Sequence, residues 1–132
     1  GVEIRNPTFL HPDYFSMLAS HEVSHIYNSW AGMPPVDEQV ALPGSLTNPA
    51  CVGARLLLKP GRKYQEAVDS FQPYHEIKEP LPTLRATIAD LIRRRRRSPG
   101  TRSYFYVNNR LEGNAPRTIA EIFGMANEAG PG

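Results

Sequence analysis

The 132 residues, 14.7 kDa in mass, suit one ordinary domain and supply about half of the ~250 residues that a closed eight-stranded α/β barrel needs. A hydrophobic share of 40% with 21% charged residues belongs to a globular chain, and no apolar run approaches the roughly 18 residues of a membrane span. A formal charge of +2 is too small to demand a polyanionic partner, and the lone Cys51 can form no intrachain disulfide, so the cytoplasm is the expected compartment.

The chain opens inside what reads as a strand, Val2 to Arg5, with neither initiator Met nor leader, and a piece of a longer reading frame is the expectation. Pro12 to His21 follows as a helix, with Pro at a first helical position and Tyr14, Phe15 and Leu18 on one face. Ser24 to Asn28 reads as a short strand. The stretch from about 30 to 50 holds Pro34, Pro35, Pro43 and Pro49; a loop that long is a lid, a binding loop or a misassignment, with room for a short helix over Val36 to Leu42.

Cys51 to Leu58 is the strongest strand pattern, in which Cys51 is expected to be a small buried residue. Tyr64, Val68 and Phe71 suggest a short helix. Pro73, Pro80 and Pro82 then break the chain before a helix from about Thr83 to Arg97, whose apolar face is Leu84, Ile88, Leu91 and Ile92. Ser103 to Val107 consists almost wholly of β-formers, and Pro116 to Asn127 carries Ile119, Ile122, Phe123 and Ala126 at helical spacing. Four strands separated by helices are the grammar of parallel βαβ units.

The runs Val2-Glu3-Ile4-Arg5-Asn6, Trp30-Ala31-Gly32-Met33-Pro34 and Ala54-Arg55-Leu56-Leu57 resemble the YecE-like family, domain of unknown function number seventy-two. The most specific match is the run from Tyr106 through Asn108-Asn109-Arg110-Leu111-Glu112-Gly113-Asn114 to Pro116. The resemblance covers nearly the whole chain. It implies the C-terminal half of a TIM-type (β/α) barrel, with four parallel strands in one partial domain over residues 1–132. It transfers no mechanism. Half a barrel leaves two open strand edges, and self-association or pairing with a missing N-terminal half is expected.

Barrel strands send alternate side chains inward. This places Glu3, Arg5, Arg55, Tyr106 and Asn108 inside, with His25 or Tyr27 as further candidates, while Val52, Ala54, Leu56 and Leu58 face the helices. Barrel ligands sit at strand C-terminal ends, where Arg5, Asn6, Asn108 and Asn109 fall. Forked Arg5 and Arg55 with the paired amides suit a small polar or anionic ligand, with Glu3 as a tentative base for a hydrolase or lyase. The plain alternative is a buried ion-pair network.

Two rival patterns stand beside this one. His21-Glu22-Val23-Ser24-His25 fits H-E-x-x-H, and if the helix from Pro12 ran on through Trp30, His21 and His25 would hold zinc for a metallopeptidase, with Glu38 or His75 as third ligand. The five arginines Arg93 to Arg97 could form a nucleic-acid contact on a non-catalytic scaffold, although cations in a last helical turn also serve the helix dipole.

Overall fold

The structure is a computed structural model and describes residues 1–128. Proline and short polar side chains fix where its helices begin. Asn6 caps a 3-10 turn, Pro7–Phe9; α1, Pro12–Ser20, starts on Pro12 with His11 Nδ1 accepting the Asp13 N–H at 3.2 Å. The chain continues through β1 (Ile26–Ser29), α2 (Val36–Ala41), β2 (Cys51–Leu56), α3 (Tyr64–Phe71), α4 (Pro82–Arg96), β3 (Arg102–Val107), α5 (Asn109–Glu112) and α6 (Ala115–Asn127).

Among the described residues the sheet has three strands in the order β1-β2-β3, all parallel and not closed. The register aligns Tyr27 with Ala54 and Phe105, and Asn28 with Arg55 and Tyr106. The first of these rows faces the helices. There Tyr27, Val52, Ala54 and Leu56 pack with Ile88, Leu91 and Ile92 of α4 and with Ile122 and Ala126 of α6. The opposite face carries Ile26 and Asn28, Gly53 and Arg55, Tyr104 and Tyr106, and among the described residues no helix lines the concavity on it. No helix among the described residues is long and apolar enough to cross a membrane.

The expected first strand is reduced to one bridge, between Val2 and His25. Val2 N donates to Ser24 O and Ile26 N to Val2 O, both at 2.8 Å, but the next rung is taken by side chains. Gln39 of α2 accepts the Asn28 N–H at 3.3 Å and donates to Asn28 O at 2.7 Å, while Asn28 Nδ2 reaches Ile4 O at 2.8 Å. A fully buried carboxamide thus replaces a backbone ladder and leaves Glu3 to Arg5 alongside the sheet rather than in it.

The long connection after β1 is clipped down rather than free. It contains α2, and its return is tied to β1 by Tyr27 OH and Ser45 Oγ at 2.9 Å and by the His25 N–H donating to Thr47 Oγ1 at 2.7 Å. Cys51, expected to be buried, is half-buried at the start of β2.

Candidate functional site

Three of the charged residues meet on the uncovered face. Glu3 Oε1 accepts from Arg5 Nε at 3.1 Å, and Glu3 Oε2 from Arg55 Nη1 at 2.6 Å. The Glu3 side chain is 13% exposed, whereas those of Arg5 and Arg55 are 43% and 45% exposed. The carboxylate is therefore the anchored centre, and the guanidiniums keep donors turned to solvent. The Arg5 guanidinium also lies 4.3 Å from the centre of the Trp30 ring, which pins it over an aromatic face.

Below this cluster runs a concavity of about 360 Å³, bordered by Ile26, Cys51, Gly53, Arg55, Tyr104 and Tyr106. Gly53 keeps its floor low, because a Cβ there would come within 2.7 Å of Ile26 Cδ1. Tyr106, cross-strand partner of Arg55, is 62% exposed and presents its hydroxyl on the same face. Asn28 lies in the same row. Its Nδ2 is committed to Ile4 O, and its buried Oδ1 has no partner.

A family model described as "Protein of unknown function DUF72" matches residues 1–131. The chain belongs to the DUF72 family. A crystal structure of a DUF72 family protein from Enterococcus faecalis V583, at 3.10 Å resolution, has the same fold, with a TM-score of 0.61 at 14% identity. The alignment covers 98% of this chain and 47% of that one, so this chain spans about half the length of its solved relative. No curated protein matches it.

In this DUF72 chain the side-chain oxygens of the paired asparagines accept backbone N–H groups. Asn108 Oδ1 caps α5 through the Arg110 N–H at 2.9 Å, and Asn109 Oδ1 accepts the Ala115 N–H at 2.8 Å. Asn6 Oδ1 is likewise spent on Thr8 N and Thr8 Oγ1, at 3.0 and 2.7 Å. These three amides do not join the Glu3 cluster. Glu112 is fully buried: Arg85 holds it through Nε at 3.0 Å and Nη2 at 2.6 Å, and the Leu81 N–H and Thr118 Oγ1 complete its shell at 2.7 and 2.9 Å. Gly113 follows at φ +118°, where a Cβ would stand 2.5 Å from Glu76 O.

The zinc geometry does not form. Helix α1 ends at Ser20, His21 is its cap, and Glu22 turns the chain at φ +55°, so the two imidazoles lose the one-turn helical spacing that the motif requires. His25 instead faces the helices, as does Tyr27, which corrects the inward placement of both. Its ring sits among Tyr14, Phe15 and Tyr27 at centroid distances of 5.1–5.7 Å, with Tyr14 OH 3.2 Å from Nδ1 and with Nε2 unpartnered. Burial lowers its pKa to about 4. No cluster of three His, Cys, Asp or Glu side chains suited to a metal occurs among the described residues, so Glu38 and His75 complete no set with His21 and His25.

The arginine run is largely engaged. Arg94 pairs with Asp90 at 2.5 Å, Arg93 Nη1 donates to Met125 O at 3.0 Å, and Arg95 Nη1 to Pro49 O at 2.6 Å. Arg96 donates to Asn127 Oδ1 at 2.7 Å. The bonds of Arg93, Arg95 and Arg96 tie the end of α4 to its neighbours, and the Arg94 pair lies within the helix; both are stabilising uses of cations at a helix C-terminus.

Sequence reasoning missed Asn28 and Trp30. The register sets Asn28 opposite Arg55, and Trp30 follows at the same parity, an alignment between strands that local alternation alone does not give.

Proposed function

We propose that this chain forms the C-terminal half of a (β/α) barrel and that its inner face binds a small oxyanion, a carboxylate or phosphate, through Arg55, Arg5 and Tyr106. The observation that carries the reading is the Glu3 cluster. One shielded carboxylate orients two half-exposed guanidiniums, that of Arg55 near the C-terminal end of β2, and Arg55 also borders an open concavity that runs back toward the start of that strand. Both oxygens of Glu3 accept guanidinium hydrogen bonds, so its part here is to hold the arginines, and the proposal is one of binding. The donor set is cationic and aromatic with a hydroxyl, a combination suited to an anion with a planar or apolar body.

The test is a titration of the purified chain with inorganic phosphate and with malonate at constant ionic strength, read by calorimetry. Saturable binding is expected, weakened about tenfold or more by Arg55→Gln, as the loss of a charge-assisted hydrogen bond implies, and less by Tyr106→Phe. Binding that is absent, or that survives Arg55→Gln unchanged, would overturn the reading.

A further inference from the structure

A second cavity lies apart from the Glu3 cluster, and adjacent units in the middle of the sheet build it. Helix α2 follows β1 and α4 follows α3 after β2; the two helices pack together with a cleft of about 290 Å³ between their first turns. Ser29, the last residue of β1, and Lys59 and Pro60, just beyond β2, line it as well. The cleft thus sits at strand C-terminal ends, where barrel folds hold ligands, but on the helix side of the sheet.

Its walls are apolar and stiff. Val36, Leu81 and Leu84 line it beside three prolines, Pro35, Pro60 and Pro82, whose fixed φ gives the walls little freedom to collapse. Its volume falls near the low end of the ~300–1,000 Å³ of small-molecule sites, which suits a ligand of few heavy atoms.

Two opposite charges border this apolar space. Asp37, half-buried in the first turn of α2, enters no ion pair among the described residues. Ser29 Oγ gives its hydrogen to Leu58 O at 2.6 Å, so toward a ligand it can only accept. Lys59 donates to Glu79 Oε1 at 2.6 Å, and its ammonium keeps two further N–H groups on a side chain that is 45% exposed. The β1–α2 unit therefore offers acceptors and a negative charge, and the segment after β2 offers donors and a positive one. A ligand with a single charge would meet one like charge here, whereas a zwitterion satisfies both.

We propose that this cleft binds a small aliphatic α-amino acid, with its ammonium toward Asp37 and Ser29, its carboxylate toward Lys59, and its side chain against Val36, Leu81 and Leu84. The test is calorimetric titration of the chain with leucine and with two analogues that each lack one charged group: 4-methylpentanoate has no ammonium, and 3-methylbutylamine no carboxylate. Leucine should bind saturably and each analogue about tenfold or more weakly, the range of a hydrogen bond to a charged group. Leucine that does not bind, or that binds no more tightly than either analogue, overturns the proposal.

Two variants assign the charges, with circular dichroism to check the fold. Asp37→Asn should remove the advantage of leucine over 4-methylpentanoate. Lys59→Gln should remove its advantage over 3-methylbutylamine, and Arg62 still holds Glu79 in that variant. An advantage that survives the matching substitution overturns the assignment. The cleft shares no residue with the Glu3, Arg5 and Arg55 cluster, so Arg55→Gln should leave leucine affinity unchanged; a loss would place the amino acid on the inner face and sink this site.

Discussion

Glu112 and Glu3 are both carboxylates gripped by arginine, and they differ in what surrounds them. Glu112 is sealed behind α4, α5 and α6 with every partner supplied by the fold. Glu3 lies on the open face, and the arginines it holds remain nearly half exposed. A buried, saturated ion pair specifies a structure; a shielded carboxylate with unsaturated arginines can specify a ligand. The most recognisable motif in the chain, Asn108 to Pro116, belongs to the first kind. Its resemblance marks the family, while its side chains are consumed as caps, a turn and a buried anchor.

The largest effect that would break this contrast is at Glu112. Glu112→Gln leaves Arg85 as a nearly unpaired buried cation, since the remaining neighbour, Glu121, is 3.6 Å away and exposed. A loss of about 3–5 kcal/mol is expected, as for breaking a buried pair from one side. Urea denaturation of the parent and the variant measures it. A cost below about 1 kcal/mol, the range of exposed ion pairs, would place Glu112 in the same class as Glu3.

Next in size is an acid sensitivity of the helix-facing layer. His25 has a folded pKa lowered to about 4 by burial, against an ordinary 6.5, so the unfolded chain takes up a proton first as pH falls. Its contribution is fully present above pH 6.5, declines from there, and is exhausted below the folded value. The total is about 3 kcal/mol at 1.36 kcal/mol per pH unit. Glu76 and Glu79 have lowered pKa values, by hydrogen bonds from Lys78 and Lys59 respectively, and they withdraw stability only below the carboxylate value of 4.5. The interval from pH 6.5 to 5 therefore isolates the imidazole. Thermal unfolding should fall steeply across it in the parent and flatten in His25→Gln; equal slopes would show that the ring is hydrated in the folded state.

Most of the architecture was legible because apolar periodicity is a local signal. Leu84, Ile88, Leu91 and Ile92 mark α4 and bury as a face, and the alternation through Val52, Ala54 and Leu56 gives the sides of β2 correctly. What was not legible depends on events distant in sequence. The Val2 to Arg5 segment has strand chemistry, yet Gln39, more than thirty residues on, takes the rung it needed. Residue type also does not tell which asparagine oxygens the backbone takes up: those of Asn6, Asn108 and Asn109 accept backbone N–H groups two to six residues away, while the buried oxygen of Asn28 has no partner. The H-E-x-x-H spacing failed for a related reason, since five residues fix a pattern but not the helix it presupposes.

The smallest effect is the sharpest test of the open cluster. Glu3→Gln removes a charge that two exposed arginines share, and its cost to stability should stay within about 1 kcal/mol. Its effect on anions should have the same sign as that of Arg55→Gln and be smaller. With the carboxylate gone, Arg5 and Arg55 lose the group that holds them, and phosphate affinity should fall by about fivefold, the ~1 kcal/mol of one hydrogen-bonded anchor. A rise in affinity instead would mean that Glu3 acts chiefly as a competing anion, so that the charge beside the fork outweighs its geometry. The two outcomes differ in sign, so a single pair of phosphate titrations, parent against Glu3→Gln, separates charge from orientation at this face.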